Sequence, residues 1–166
     1  MHIRFKEIVI DDKASVLALF KRSAEKIKRM QVNHWQYWNN PPADKIKWVE
    51  EGIQNNEFFY IYFEDVNVGM VRILDEDLPY WGKQDEKATY IHSLVVTEQF
   101  NGKGIGKAAI QAAGVMAQEN YCKYIRLDAD SRNTKLCEYY EKQGFKKVGT
   151  QTLTLSTYNL YQKELT

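Results

Sequence analysis

The sequence is poor in several features that mark specialised protein classes. It has two cysteines, Cys122 and Cys137, fifteen residues apart. Neither lies in a CxxC pair or at a Cys/His metal spacing, so no metal site is expected and the two read as reduced packing thiols. The three prolines, Pro41, Pro42 and Pro79, fall in two loop-like places. An excess of one charge is missing too: 23 Lys and Arg offset 22 Asp and Glu, for a net charge of +1. That balance offers no basic surface for nucleic acid and no acidic tail for a charged partner. The longest apolar run, Phe58 to Phe63, has six residues. A membrane helix needs roughly 20, so no membrane partner is expected. The first residues, MHIRFKEIVIDD, scatter charge where a secretory signal carries its apolar region, and a cytoplasmic location is the expectation.

What is present suits a folded domain. Hydrophobic residues make up 44% of the chain, charged residues 27% and aromatics 13%, with eleven tyrosines. That is enough to fill a core, and it excludes wholesale disorder. The length fits a single domain over residues 1–166. Repeats and low-complexity segments are absent.

The hydrophobic periods set out an order of elements. Residues 3–10 read as a strand. Asp11 and Asp12 offer an N-cap to a helix reaching about residue 29, with Val16, Leu19, Phe20, Ala24 and Ile27 on its apolar face. Residues 30–43 show no clean period. Asp44 then caps a second helix with Ile46, Val49 and Ile53 as its stripe. Phe58–Phe63 and Val68–Leu74 form a hairpin about a turn at Glu64–Asn67. Residues 75–87 read as an acidic loop and Thr89–Val96 as a strand. A glycine-containing loop follows, then a small-residue helix over 105–119 with Ile105, Ala109, Ala112 and Met116 inward. Tyr124–Ala129 is a strand, 134–143 a helix, and two strands end the chain. The order β-α-α-β-β-β-α-β-α-β-β implies an α/β fold with a mixed sheet and helices on both faces.

The most informative stretch is Val95-Val96-Thr97-Glu98-Gln99-Phe100-Asn101-Gly102-Lys103-Gly104-Ile105-Gly106-Lys107. Alternating glycines at a helix start let backbone N–H groups face an anion, most naturally a phosphate, and Lys103 and Lys107 add charge. A flexible loop before a helix is the plain alternative. A P-loop fails, because Asn101 stands where its first glycine is needed and Ala108 where Ser or Thr is needed. A dinucleotide fingerprint matches Gly104, Gly106 and Ala109, with Asp128 about twenty residues on. Yet a hairpin precedes this unit, and too little chain follows to complete that fold.

A third motif, R/Q-x-x-G-x-G/A, fits Asn101-Gly102-Lys103-Gly104-Ile105-Gly106 in all but its first residue. Asn101 replaces the usual Arg or Gln and brings no positive charge. The strand Leu94-Val95-Val96 precedes it. Asn133-Thr134-Lys135-Leu136-Cys137-Glu138-Tyr139-Tyr140-Glu141-Lys142-Gln143-Gly144-Phe145 follows, close to N-x-x-A-x-x-x-Y-x-x-x-G-F. With these segments in order, the sequence resembles the GNAT N-acetyltransferases over essentially its whole length. The resemblance implies a GNAT-like acyl-CoA N-acyltransferase fold, acetyl-CoA as co-substrate without a metal, and an amine acceptor. It leaves a homodimer open. A non-catalytic acyl-CoA-binding module and a protein or N-terminal acetyltransferase are the alternatives.

The resemblance also assigns roles. Main-chain groups around Leu94, Val95 and Val96 would pair with the pantetheine amides, and the N–H groups from Gly102 to Lys107 with the pyrophosphate. Asn133 would bond the pantetheine arm, although Asn is also a good helix N-cap. Tyr140 would protonate the leaving sulfur, whereas Tyr139 matches an apolar position and is expected to pack. His92, two residues before Leu94 on the same strand, is the candidate base, with Glu98, Asp128 and Asp130 in reserve. Trp35 and Trp38, in a stretch with His34 and Tyr37, are candidates for binding the acceptor amine by cation–π contact beside Asp75-Glu76-Asp77. A tryptophan-rich satellite core is the alternative there.

Overall fold

The chain was described from a computed structural model covering residues 1–166. Its contacts cluster into two compact units: residues 1–72 with 93–109, and residues 73–92 with 110–166. The strands are hydrogen-bonded in the order β1-β2-β3-β4-β5-β7-β6.

In the first unit, β1 (Ile3–Glu7) leads through a 3-10 turn into α1 (Lys13–Arg29). Val16, Leu19, Phe20 and Ala24 are buried on α1, the spacing of one helical face. Asp12 sits at the N-cap position, but its carboxylate accepts from the Val9 N–H (3.4 Å) instead of capping the helix. The second helix, α2 (Ala43–Gln54), starts after Pro42, so Asp44 lies inside its first turn and does not precede it. Strand β2 (Phe58–Phe63) pairs antiparallel with β1 and with β3 (Val66–Leu74). The hairpin turn is two residues long, with Glu64 and Asp65 at φ +47° and +62°. Positive φ at both central residues matches the right-handed twist of the flanking strands, so β3 begins two residues earlier than the composition suggests. The core gathers Ile8, Phe20, Trp38, Val49, Phe58 and Met70, among others. Each such side chain contributes about 1.5–3 kcal/mol on burial. Buried Arg72 is held by Glu57 (2.5 and 2.9 Å) and lies over the Trp48 ring at 4.1 Å.

In the second unit, a four-residue helix, α3 (Leu78–Trp81), interrupts the expected acidic loop. Pro79 in its first turn costs no hydrogen bond, since that N–H would be unpaired anyway. Strand β4 (Ala88–Val96) pairs parallel with β5 (Tyr124–Asp130) from Ala88↔Tyr124 to Tyr90↔Arg126. Between them runs α4 (Ile105–Glu119). Its buried residues are Ile105, Ala109, Ile110, Ala113 and Ala117. The inward stripe is thus rotated from the expected one, and Ala112 and Met116 are only half-buried. After α5 (Thr134–Glu141), β6 (Lys146–Thr152) and β7 (Thr157–Glu164) close the sheet, β7 antiparallel to both β5 and β6. Both cysteines are reduced and buried. No helix is long and apolar enough to cross a membrane.

Candidate active site

The first unit carries the glycine loop. Strand β4 ends at Leu94, Val95 and Val96, of which Val95 is buried. Ser93 has φ +53°, so the pleat breaks between His92 and Leu94. The neighbouring β3 backbone approaches so closely that a Cβ on Gly69 would lie 1.9 Å from the Val95 carbonyl oxygen. Just beyond β4, the Thr97 N–H and hydroxyl both donate to the Val68 carbonyl (2.9 and 3.3 Å).

A 3-10 turn at Glu98–Phe100 follows, closed by the Asn101 N–H donating to the Glu98 carbonyl (3.1 Å). Gly102 and Gly104 adopt φ +73° and +78°, a region that strains residues carrying a Cβ. Nothing lies within 4 Å of a Cβ placed on Gly102. The Ala108 N–H donates to the Gly104 carbonyl (3.0 Å). The first N–H groups of α4, from Ile105 to Lys107, have no carbonyl of the helix itself to bond, as at any α-helix start. Such a run at a helix start forms a site for an anion. Asn101 through Gly104 are exposed, and the Lys103 ammonium lies 5.2 Å from the Phe100 ring centre. Beside the loop is a cavity of about 410 Å³ lined by Arg22, Lys26, Arg29, Val96, Thr97 and Glu98. Arg29 donates to both Glu98 carboxylate oxygens at 2.8 Å. Burial pulls the Lys26 ammonium below its usual range.

The same unit places the tryptophans. Trp38 is 3% exposed and stacks on Phe20, with ring centres 4.0 Å apart and planes 8° from parallel. It is a core residue. Trp35 meets Phe20 edge-on (5.6 Å), remains partly exposed, and stacks with His34 (5.6 Å).

The second unit holds the ionisable candidates. Asn133 is the N-cap of α5, its side-chain oxygen accepting the Leu136 N–H at 3.1 Å. Tyr140, two turns in, is buried among Phe145 and Tyr161. Burial, then the nearby Asp128 carboxylate, push its phenol well above the ordinary tyrosine value. Tyr139 is 38% exposed, more open than the packing expected of it, although its ring still meets that of Tyr140 (5.6 Å).

The β4–β5 register places His92 opposite Asp128, two residues past the last paired position. His92 Nε2 lies 2.5 Å from Asp77 Oδ2 and 3.5 Å from Asp128 Oδ2. Tyr80 packs on the His92 ring (4.9 Å) and on Tyr158 (5.1 Å). Asp128 Oδ2 is buried and has no hydrogen-bond partner. Burial pushes the Asp128 carboxyl up to about 6; His92 opposes that rise and Asp77 adds to it. Asp130 behaves oppositely, since hydrogen bonds from Arg132 hold its carboxyl down at about 2. Of the reserve bases, Glu98 is tied to Arg29 and Asp130 to Arg132, while Asp128 keeps an open oxygen. Sequence reasoning placed Asp77 in the acidic run offered to the acceptor amine and missed it as the partner of His92. It sits fifteen residues from His92 in an acidic run, and no local pattern marks one of three acids as the partner.

A glycine loop between β4 and the start of α4 is the feature that the comparisons with known proteins assign to a class, the acyl-group transferases. The family model described as the acetyltransferase (GNAT) family matches residues 25–145. The chain belongs to that family and, as a member, is an acetyltransferase with acetyl-CoA as co-substrate. An N-acetyltransferase of Bacillus subtilis (strain 168) called YesJ, itself described as uncharacterized, is 26% identical over 163 residues, spanning 95% of this chain and 88% of that protein. A GNAT-family acetyltransferase from Listeria monocytogenes 4b F2365 superposes with a TM-score of 0.79 at 24% identity, covering 98% of this chain and 95% of that one. The aminoglycoside acetyltransferase AAC(6')-Ib, solved with coenzyme A and kanamycin, shares the fold with a TM-score of 0.73 at 16% identity, again over 98% and 95% of the two chains.

Proposed function

We propose that the chain transfers the acetyl group of acetyl-CoA to a primary amine of a small molecule or peptide. The observation that carries this reading is the set of first-turn N–H groups of α4, presented by a loop in which Gly102 and Gly104 adopt positive φ. They suit a pyrophosphate, with Lys103 and Lys107 adding positive charge. The main-chain groups of Leu94, Val95 and Val96 would hold the pantetheine amides. Asn101, which closes the preceding turn, sets the loop's geometry without adding charge.

In the second unit, Asn133 would offer its side-chain amide to the pantetheine arm, its oxygen being used by the cap. Tyr140, kept protonated by burial, is the acid for the leaving sulfur, and the cluster around His92 accepts the amine proton. Of the two tryptophans, Trp35 is the one with surface to offer an acceptor. We take residues 1–166 as one acetyltransferase domain, because the likenesses cover 95–98% of the chain. We keep a cytoplasmic location as part of this proposal, and independence from nucleic acid rests on the balanced charge. A homodimer rests on family resemblance alone.

The test pairs thermal melting with thiol release. Acetyl-CoA at 100 times its Kd should stabilise the fold by about 2.7 kcal/mol. Free CoA should then appear when the right member of a panel of polyamines, aminoglycosides, amino acids and peptides is added. Stabilisation without thiol release would leave a binding module. No shift at millimolar acetyl-CoA would overturn the reading.

A further inference from the structure

We infer that Asp128, not His92, is the catalytic group that takes the acceptor amine's proton, and that Asp77 and His92 are positioning residues for it. The inference rests on the transferase reading above and reassigns its base.

The argument starts at His92 Nε2. This nitrogen stands 2.5 Å from Asp77 Oδ2 and 3.5 Å from Asp128 Oδ2. A bare lone pair facing two carboxylates would be repelled by both, so Nε2 carries a hydrogen and donates it to Asp77. That commits Nε2 to Asp77 and leaves Nδ1 as the one ring nitrogen able to accept a proton. Asp128 Oδ2 is in the opposite condition: its side chain is nine-tenths buried, and the oxygen is too far from Nε2 for a hydrogen bond and has no other partner. A buried carboxylate oxygen left open costs stability unless a ligand donates to it, and an amine nitrogen supplies that donor.

The groups facing Asp128 are His92 from β4, Asp77 from the residue before α3, Tyr140 from α5 and Tyr158 from β7. Its proton affinity is raised toward working pH, as a general base requires. In the transfer, the amine nitrogen bonds the acetyl carbonyl carbon as the carbon–sulfur bond breaks. The nitrogen's proton passes to Asp128 Oδ2 and then to solvent. The sulfur takes the Tyr140 phenol proton, which solvent restores.

The test measures kcat/KM against pH for the wild-type enzyme, Asp128→Asn and His92→Gln, with acetyl-CoA affinity alongside. Asp128→Asn should lose about 10²–10⁴-fold in kcat, keep its acetyl-CoA affinity, and lose the acid limb near pH 6. His92→Gln should stay active at high pH with its acid limb moved upward, since His92 now holds the Asp128 value down. If His92→Gln abolishes activity at every pH while Asp128→Asn keeps its limb, the assignment is overturned. Carbon NMR of the aspartate carboxyls, with Asp128→Asn identifying the signal, needs no turnover. Titration near 6 is expected, and titration in the ordinary range overturns the inference. A wild-type enzyme that turns over no amine would fail the transferase reading and leave that NMR result to decide this one. Activity lost to chelator and restored by Zn²⁺ would also overturn it, because the ion would then occupy Oδ2.

Discussion

Tyr139 and Tyr140 are neighbours on one helix, and the phase of that helix gives them different surroundings. Asn133 caps α5, so Cys137 and Tyr140 fall on the buried face and Tyr139 on the exposed one. A buried phenol beside the Asp128 carboxylate stays protonated and can donate. Tyr140→Phe keeps the ring that packs on Phe145 and Tyr161 and removes only the hydroxyl. It should lower kcat about 10- to 100-fold, the low end for positioned acid catalysis, because a thiolate with a pKa near 8.5 leaves readily. Acetyl-CoA affinity should hardly move. Tyr139→Phe, on the exposed side, should change both rate and stability little, within about 0.5 kcal/mol. Steady-state kinetics and a binding titration on both variants check this, and a full kcat for Tyr140→Phe would pass the proton-donor role to solvent. The spacing from Asn133 identified Tyr140 in the sequence. Which tyrosine of the pair is packed could not be read there, because either could follow an apolar stripe.

At the scale of elements, two glycines act through different physics. Gly104 has φ +78° in open space, with only Met1 Cε near at 4.0 Å. A side chain there costs roughly 1–2 kcal/mol of backbone strain and meets no wall. Gly104→Val should therefore distort the N–H run, weakening acetyl-CoA at least tenfold, while melting stays within a few degrees of wild type. Gly69 is hemmed in by the Val95 carbonyl, with a 1.9 Å approach to any added Cβ. Gly69→Ala must push β3 from β4 and should cost about 3 kcal/mol or more, read as a melting point about 6–12 °C lower. Calorimetric binding and thermal melts separate the two, and unchanged affinity in Gly104→Val would reduce that glycine to a turn residue. Most elements were legible because their periods are strong, as in α1 with its Val16, Leu19, Phe20 and Ala24 face. The short α3 was not, since four residues cannot show a helical period. Nor was the break at Ser93, a non-glycine residue at positive φ that no composition rule marks. The parallel register was equally hidden: His92 meets Asp128 only through a pairing offset of thirty-six residues fixed by Ala88↔Tyr124.

For the molecule as a whole, Asp128 links folding to pH. In the unfolded chain its carboxyl titrates at the ordinary value near 3.8, and in the fold at about 6. Below pH 3.8 both states are protonated and the group contributes its full stabilisation. Between the two values the fold binds the proton and the unfolded chain releases it, so stability drains away as pH rises. Above pH 6 both are ionised and the fold carries the whole cost, about 3 kcal/mol. Asp130 runs the other way: held down at about 2 by Arg132, it stabilises the fold at all pH above the unfolded value and loses that only in stronger acid. Its contribution is common to wild type and Asp128→Asn and cancels in their difference. The gap between the two proteins should therefore change by about 2.4 kcal/mol between pH 4 and pH 7.5, with Asp128→Asn gaining on wild type as pH rises. In a domain of this size that is a relative shift of about 5–10 °C in Tm. Melting both proteins across that range measures it. A gap that stays constant would mean that Asp128 titrates as an ordinary surface carboxylate. The fold would then have no need to keep His92 beside it, and the carboxylate would lose the raised proton affinity that suits it to receive a proton from an amine.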